Sequence, residues 1–155
     1  QDYREFILQQ IPQFAENSGN IVDLSGAIIG RHKGLLNYTI GQKRDMPVRN
    51  GFPLYVARID VASNTIVAAE KSELFSHTLW LEHLRFHRES DLYADKIEIK
   101  VRGLGLNPPG YIRVQKESEH LWKINLAAPA WAVAPGQPAA LYCGERLIGG
   151  GIISR

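Results

Sequence analysis

Between Thr78 and Ile153 the chain repeats one pattern, a short apolar or alternating run followed by a break rich in glycine, proline, asparagine or serine. Ile97, Ile99 and Val101 alternate with Glu98 and Lys100. That period sends apolar side chains to one face of an extended strand and charged ones to the other. Thr78 to Phe86, Asp95 to Val101, Tyr111 to Gln115, Leu121 to Leu126, Ala139 to Tyr142 and Arg146 to Ile153 make six such segments. Gly103 to Gly110 and Ala134 to Pro138 read as turn-rich connections. Six short strands at hairpin spacing predict a small closed antiparallel barrel.

The first half is patterned differently. Asp2 to Gln9 places Tyr3, Phe6 and Ile7 at helical spacing, with an acid at its start and Pro12 beyond it. This predicts a short amphipathic helix. Asn17 to Asn20 reads as a polar turn, and Ile21 to Leu24 and Ala27 to Gly30 flank Ser25-Gly26 as a tight hairpin. One helical turn is expected over Gly34 to Asn37, then an irregular, exposed stretch from Gly41 to Gly51. Strands follow at Pro53 to Asp60 and Thr65 to Ala69, and the pattern breaks between Lys71 and Ser76. The expected fold is mainly β: a small mixed α/β central domain over residues 1–74, then a C-terminal six-stranded antiparallel β-barrel over 75–155.

A chain of 155 residues that is 45% hydrophobic and 22% charged is expected to bury a core. Its net charge of only +2 excludes a histone-like polycation, so any nucleic-acid site must be a local patch. One such patch exists. Gly30 to Arg44 carries Arg31, His32, Lys33, Lys43 and Arg44 with no acidic residue, punctuated by Gly30, Gly34 and Gly41, with Tyr38 between the basic clusters. Cations supply phosphate contacts, glycines allow close backbone approach, and an aromatic ring can stack on a base. RNA is the commonest polyanion to suit such a loop; the competing reading is a solvated basic loop. The single cysteine, Cys143, excludes an internal disulfide and fits a reducing, cytoplasmic setting. No apolar run approaches the roughly 20 residues of a membrane span. Gln1 reads as a cut end.

No catalytic centre emerges. His77, His83 and His87 fall at mixed offsets without a cysteine nearby, short of the tight ligand pairs that zinc requires, so no metal is expected. Cys143 at a strand end lacks a neighbouring base to activate it. Nucleophile elbow, Walker loop and dinucleotide fingerprint are all missing from the sequence. Gly149-Gly150-Gly151 lies inside a strand pattern, where close backbone packing or a bulge explains it better than phosphate binding.

Three stretches together are more specific than any one. Gly30-Arg31-His32-Lys33-Gly34-Leu35 followed by Tyr38-Thr39-Ile40-Gly41-Gln42-Lys43-Arg44 resembles the G-x-H-x-G-L…Y-T-I-G-Q-R pattern of the tRNA-specific 2-thiouridylases, the MnmA/TrmU family. Ala132 to Gln137, Leu141-Tyr142 and Leu147 to Ile153 resemble that family's A-V-T-P-G-Q…F-Y…L-G-G-G-x-I ending, and Tyr3 to Phe6 its F-R-E-F segment. The resemblance implies the central and C-terminal portion of an enzyme that thiolates the wobble uridine of tRNA using ATP. It also implies that ATP and Mg²⁺ belong to an N-terminal domain with an S-G-G-V-D-S loop and two sulfur-relaying cysteines, none of which this sequence contains. The fragment itself is then expected to bind no cofactor and to catalyse no step. tRNA, through its anticodon region, is the implied partner, and a sulfur-carrier protein is a further one.

The resemblance carries tRNA contacts onto Gln137 of the P-G-Q segment and onto Arg102, the first arginine of an R-Y-R stretch. Here Gly103 and Leu104 replace the tyrosine and second arginine. Lys43-Arg44-Asp45-Met46 also departs from the usual R-K-G-L and sets an acid beside the basic cluster, which raises a paralogue with altered tRNA preference. The expected tRNA-binding set is Arg31, His32, Lys33, Lys43, Arg44, Arg102, Gly103 and Gln137. A non-catalytic RNA-binding barrel and a module that docks a sulfur carrier remain open alternatives.

Overall fold

The computed structural model describes residues 17–101 and 107–154. The helix expected over Asp2 to Gln9 lies outside them. The chain divides into two compact units, 1–74 and 75–155. Among the described residues, no helix is long and apolar enough to cross a membrane, and the helical segments are short 3-10 turns such as Leu35–Asn37.

The first unit contains β1 (Gly19–Val22), β2 (Ile28–His32), β3 (Val48–Arg49), β4 (Phe52–Pro53), β5 (Tyr55–Asp60) and β6 (Thr65–Ala69). Four of these form a sheet in the order β2-β1-β6-β5, with β1 parallel to β6 and the other neighbours antiparallel. Gly19 and Asn20, expected in a polar turn, belong to β1. Asn20 pairs with Arg31 on one side and Thr65 on the other, and ladder bonds on both edges outweigh the turn preference of the sequence. The core of this unit joins Ile21, Leu54, Val56 and Ile66 from the sheet region to Leu35, Tyr38 and Met46 from the loop. The stretch from Gly41 to Gly51 is therefore less open than expected: Met46 is buried, and β3 pairs with β4 as a minimal hairpin.

Asp23 builds the β1–β2 turn. Its Oδ1 accepts from the Ser25 hydroxyl at 2.6 Å, the Ser25 N–H at 2.9 Å and the Ala27 N–H at 3.1 Å, while Oδ2 meets Arg49 at 2.5 Å. The Ser25 hydroxyl, then Arg49 and the two backbone donors, hold the carboxyl down at about 2 from the ordinary 3.8. A depressed carboxylate contributes stability above its unfolded pKa and loses it as pH falls through the folded value. Wild type is thus expected to melt above Asp23→Ala at neutral pH, with the gap closing as pH drops from about 4 to about 2. Thermal melts of both proteins across that range provide the check. A gap independent of pH would show that the charge of Asp23 is not what matters.

The second unit contains β7 (Phe75–Phe86), β8 (Ile97–Lys100), β9 (Arg113–Lys116), β10 (Leu121–Trp131), β11 (Pro138–Cys143) and β12 (Arg146–Ile153). They form one curled antiparallel sheet in the order β8-β11-β12-β7-β10-β9. The Ile112 N–H, just ahead of β9, donates to the Ile97 carbonyl of β8 at 2.8 Å and draws the two edges together. Inside lie Leu81, Ile97, Ile99, Ile124, Leu141, Ile148 and Ile153, with Trp122 edge-on to Phe86 at 5.8 Å between ring centroids. Arg146 at the start of β12 grips Asp91 with two bonds of 2.8 and 3.1 Å, lowering the Asp91 pKa.

β10 runs five residues past its expected end at Leu126. Pro129 cannot donate to a ladder, and pairing with β7 is interrupted between Asn125 and Ala130, then resumes as Ala130 meets Ser76 and Trp131 meets Phe75. The glycine run of β12 is a packing device, as expected. A Cβ on Gly149, Gly150 or Gly151 would lie 2.6, 2.8 or 2.8 Å from a carbonyl oxygen of Arg85, Ala139 or Glu82. Opposite Gly151, His83 takes a φ of 52° where the pairing of β7 with β12 shifts register.

Candidate nucleic-acid interface

The basic stretch leaves β2 at His32, makes one 3-10 turn and returns beside β5. Three buried side chains, Leu35, Tyr38 and Met46, fasten it to the core of the first unit. Its backbone is fixed as well: the Gly41 N–H donates to the Val56 carbonyl at 2.8 Å, the Val56 N–H to the Gln42 carbonyl at 2.9 Å, and the Leu54 N–H to the Pro47 carbonyl at 3.0 Å. A loop anchored this way holds its polar side chains in place before any ligand arrives, which lowers the ordering cost of binding.

Ser18, just ahead of β1, and Lys33, Asn37, Tyr38, Gln42, Arg44 and Asp45 of the loop line an open depression of about 840 Å³. Lys33 and Arg44 are exposed cations at its wall. Arg31, also exposed, reaches the same rim through its contact with the Ser18 hydroxyl at 3.4 Å. Lys43 is exposed next to Arg44 but is not part of the wall.

His32 and Tyr38 serve the loop from beneath. Only 1% of His32 is exposed. The Gly34 N–H donates to its Nδ1 at 3.1 Å, so Nδ1 is the acceptor and the proton sits on Nε2, which lies 3.0 Å from the Asn64 carbonyl. Both ring nitrogens are spent on the fold. Tyr38 packs edge-on to His32 at 5.9 Å with its ring buried, so it offers no open face on which a base could stack.

In the second unit, Gln137 is half-buried and clasps its own turn. Its Oε1 accepts from the Ala134 N–H at 3.1 Å, and its carbonyl accepts from the Ile153 N–H at 2.9 Å. Arg102 and Gly103 lie outside the described residues. Cys143 is partly buried against the barrel core. Among the described residues, no three His, Cys, Asp or Glu side chains gather where a metal could be held.

Two family models match the chain in succession. The tRNA methyl transferase PRC-barrel domain covers residues 4–70, and the aminomethyltransferase beta-barrel domain covers residues 76–153. The tRNA-specific 2-thiouridylase MnmA of Rickettsia typhi is 32% identical over 149 residues, 96% of this chain and 42% of that relative. The protein of the same name from a Synechococcus strain is 34% identical over 155 residues, 98% of this chain and 40% of the relative. The chain belongs to the tRNA-specific 2-thiouridylase family. It spans about two fifths of the length of the curated thiouridylases it matches.

In this chain the sequence pattern pointed to the cations of the depression but missed its neutral wall, Ser18, Asn37 and Gln42. Asn37 donates its amide to the Lys33 carbonyl at 2.8 Å, and Gln42 donates to the Arg44 carbonyl at 2.9 Å. These are local side-chain-to-backbone bonds of the kind that shape turns. For Asn37 and Gln42 the available signal was their place between two basic clusters; for Ser18 there was none.

Proposed function

We propose that this chain is the tRNA-holding portion of a uridine 2-sulfurtransferase. It grips the anticodon region so that the wobble uridine is presented for ATP-dependent 2-thiolation carried out elsewhere in the whole protein. The observation that carries the reading is the pre-formed depression between Lys33 and Arg44, on a loop bolted to the core by Leu35, Tyr38 and Met46, in a thiouridylase-family chain. ATP and Mg²⁺ call for a glycine-rich phosphate loop feeding a helix and for oxygen ligands on the metal. The reading assigns both to residues outside this chain, together with the sulfur-relaying cysteines and any contact with a sulfur-carrier protein. The setting is the cytoplasm.

If Arg31, Lys33, Lys43 and Arg44 meet phosphates, log K for tRNA is expected to fall against log salt with a slope of about −3. Filter binding across salt concentrations measures it. A flat response would point to a protein partner instead, and the tRNA-holding reading would fall.

A further inference from the structure

The depression is not built as a bare phosphate cradle. Both of its amides are turned the same way. Asn37 Nδ2 donates to the Lys33 and Gly34 carbonyls at 2.8 and 3.4 Å, and Gln42 Nε2 donates to the Arg44 and Asn37 carbonyls at 2.9 and 3.4 Å. A backbone carbonyl only accepts, so these bonds fix the orientation of each amide and leave its oxygen as the unengaged end. Asn37 and Gln42 join Asp45, Lys33 and Arg44 in the wall of the depression. A lone phosphate would meet the Asp45 carboxylate, which repels it. A ligand carrying negative charge at one end and N–H donors at the other satisfies both halves, and a nucleotide is such a ligand.

Asp45 is the pivotal residue. It keeps a side chain at a φ of 61°, in the left-handed region that favours glycine. Among the described residues its one ion pair, to Arg44 Nε at 3.5 Å, joins side chains that are 66% and 88% exposed, so the pair is weak and either partner exchanges readily for a ligand. An ionised carboxylate offers two oxygens side by side. Guanine alone among the RNA bases presents two adjacent N–H donors, N1–H and N2–H, on its Watson–Crick edge. Adenine and cytosine show one amine beside an acceptor, and uracil one N–H between two carbonyls.

We propose that the depression receives one unpaired guanine of the bound RNA, with Asp45 accepting from its N1–H and N2–H and with Lys33 and Arg44 on the flanking phosphates. This rests on the reading of the chain as an RNA-holding unit, and the test separates the two. The whole chain is titrated by fluorescence anisotropy with ten-nucleotide single strands of uridine, plain or with one central guanosine, adenosine or cytidine. The guanosine strand is expected to bind about tenfold tighter than the plain strand, the discrimination of a good two-bond base contact. Asp45→Asn is expected to bring that preference within about twofold while the plain strand binds at least as tightly as it does to wild type, because one charge that repels phosphate is gone. Equal binding of all four strands by wild type, or a guanosine preference that survives in Asp45→Asn, overturns the inference while salt-dependent binding leaves the RNA-holding reading standing. tRNA binding with no binding of any short strand also overturns it, because the depression would then take no free base. Failure to bind tRNA or any strand defeats both.

Discussion

Gly19→Ala is expected to destabilise the protein by about 3–5 kcal/mol, through overpacking together with loss of a buried hydrogen bond. A Cβ at Gly19 would stand 2.0 Å from the Asn64 carbonyl oxygen and 2.5 Å from His32 Nε2, between the two atoms whose bond closes this end of the sheet. Neither neighbour can retreat cheaply. Asn64 sits at a φ of 50° in the turn before β6 and also donates its amide to the Asn17 carbonyl at 3.3 Å, while His32 is held from its other side by Gly34. β1 is ladder-bonded on both edges, so the strand has nowhere to slide. On the tRNA-holding reading, the effect reaches binding through His32, which holds the Gly34 N–H where the basic loop departs. Urea denaturation with tRNA binding measured alongside is the check: both should fall together. Wild-type stability in Gly19→Ala would mean that this corner is far softer than its contacts indicate.

That corner also shows what the sequence could and could not reveal. Arg31, His32 and Lys33 are one basic run on paper, yet on an extended strand the middle residue faces away from its neighbours. The period-two rule that located Ile97, Ile99 and Val101 in the barrel would have turned His32 inward as well. Its reading as a tRNA contact came from charge alone, whereas the structure gives it to the core. The barrel strands were readable because each needs one apolar face, and the glycine run because a strand interior has few other uses for glycine. Tyr38 was not readable: nothing local separates a loop aromatic that stacks on a ligand from one that plugs the core beneath its own loop. The extension of β10 past Pro129 was hidden for a similar reason, since it depends on β7 arriving alongside.

Reversing two charges at the depression, Lys33→Glu with Arg44→Glu, is expected to weaken tRNA binding by about 3 kcal/mol, about 150-fold, if each cation makes one charge-assisted phosphate contact. The salt slope should fall in magnitude by about 1.5, because two phosphate contacts and their counterion release are lost. Stability should barely move. Both side chains are exposed, and among the described residues the only ion pair removed is the exposed one to Asp45, of a kind worth about 0–1 kcal/mol. The matched control is Lys71→Glu with Lys96→Glu, which makes the same change in net charge at exposed lysines that do not line the depression. On a chain of net charge +2, either double reversal takes the formal charge to −2, so general attraction to a polyanion falls equally in both. Only the first pair removes contacts held at fixed positions by Leu35, Tyr38 and Met46. A control that loses as much affinity as the depression variant would mean that tRNA responds to overall charge, and the depression would then have no claim to be where it binds.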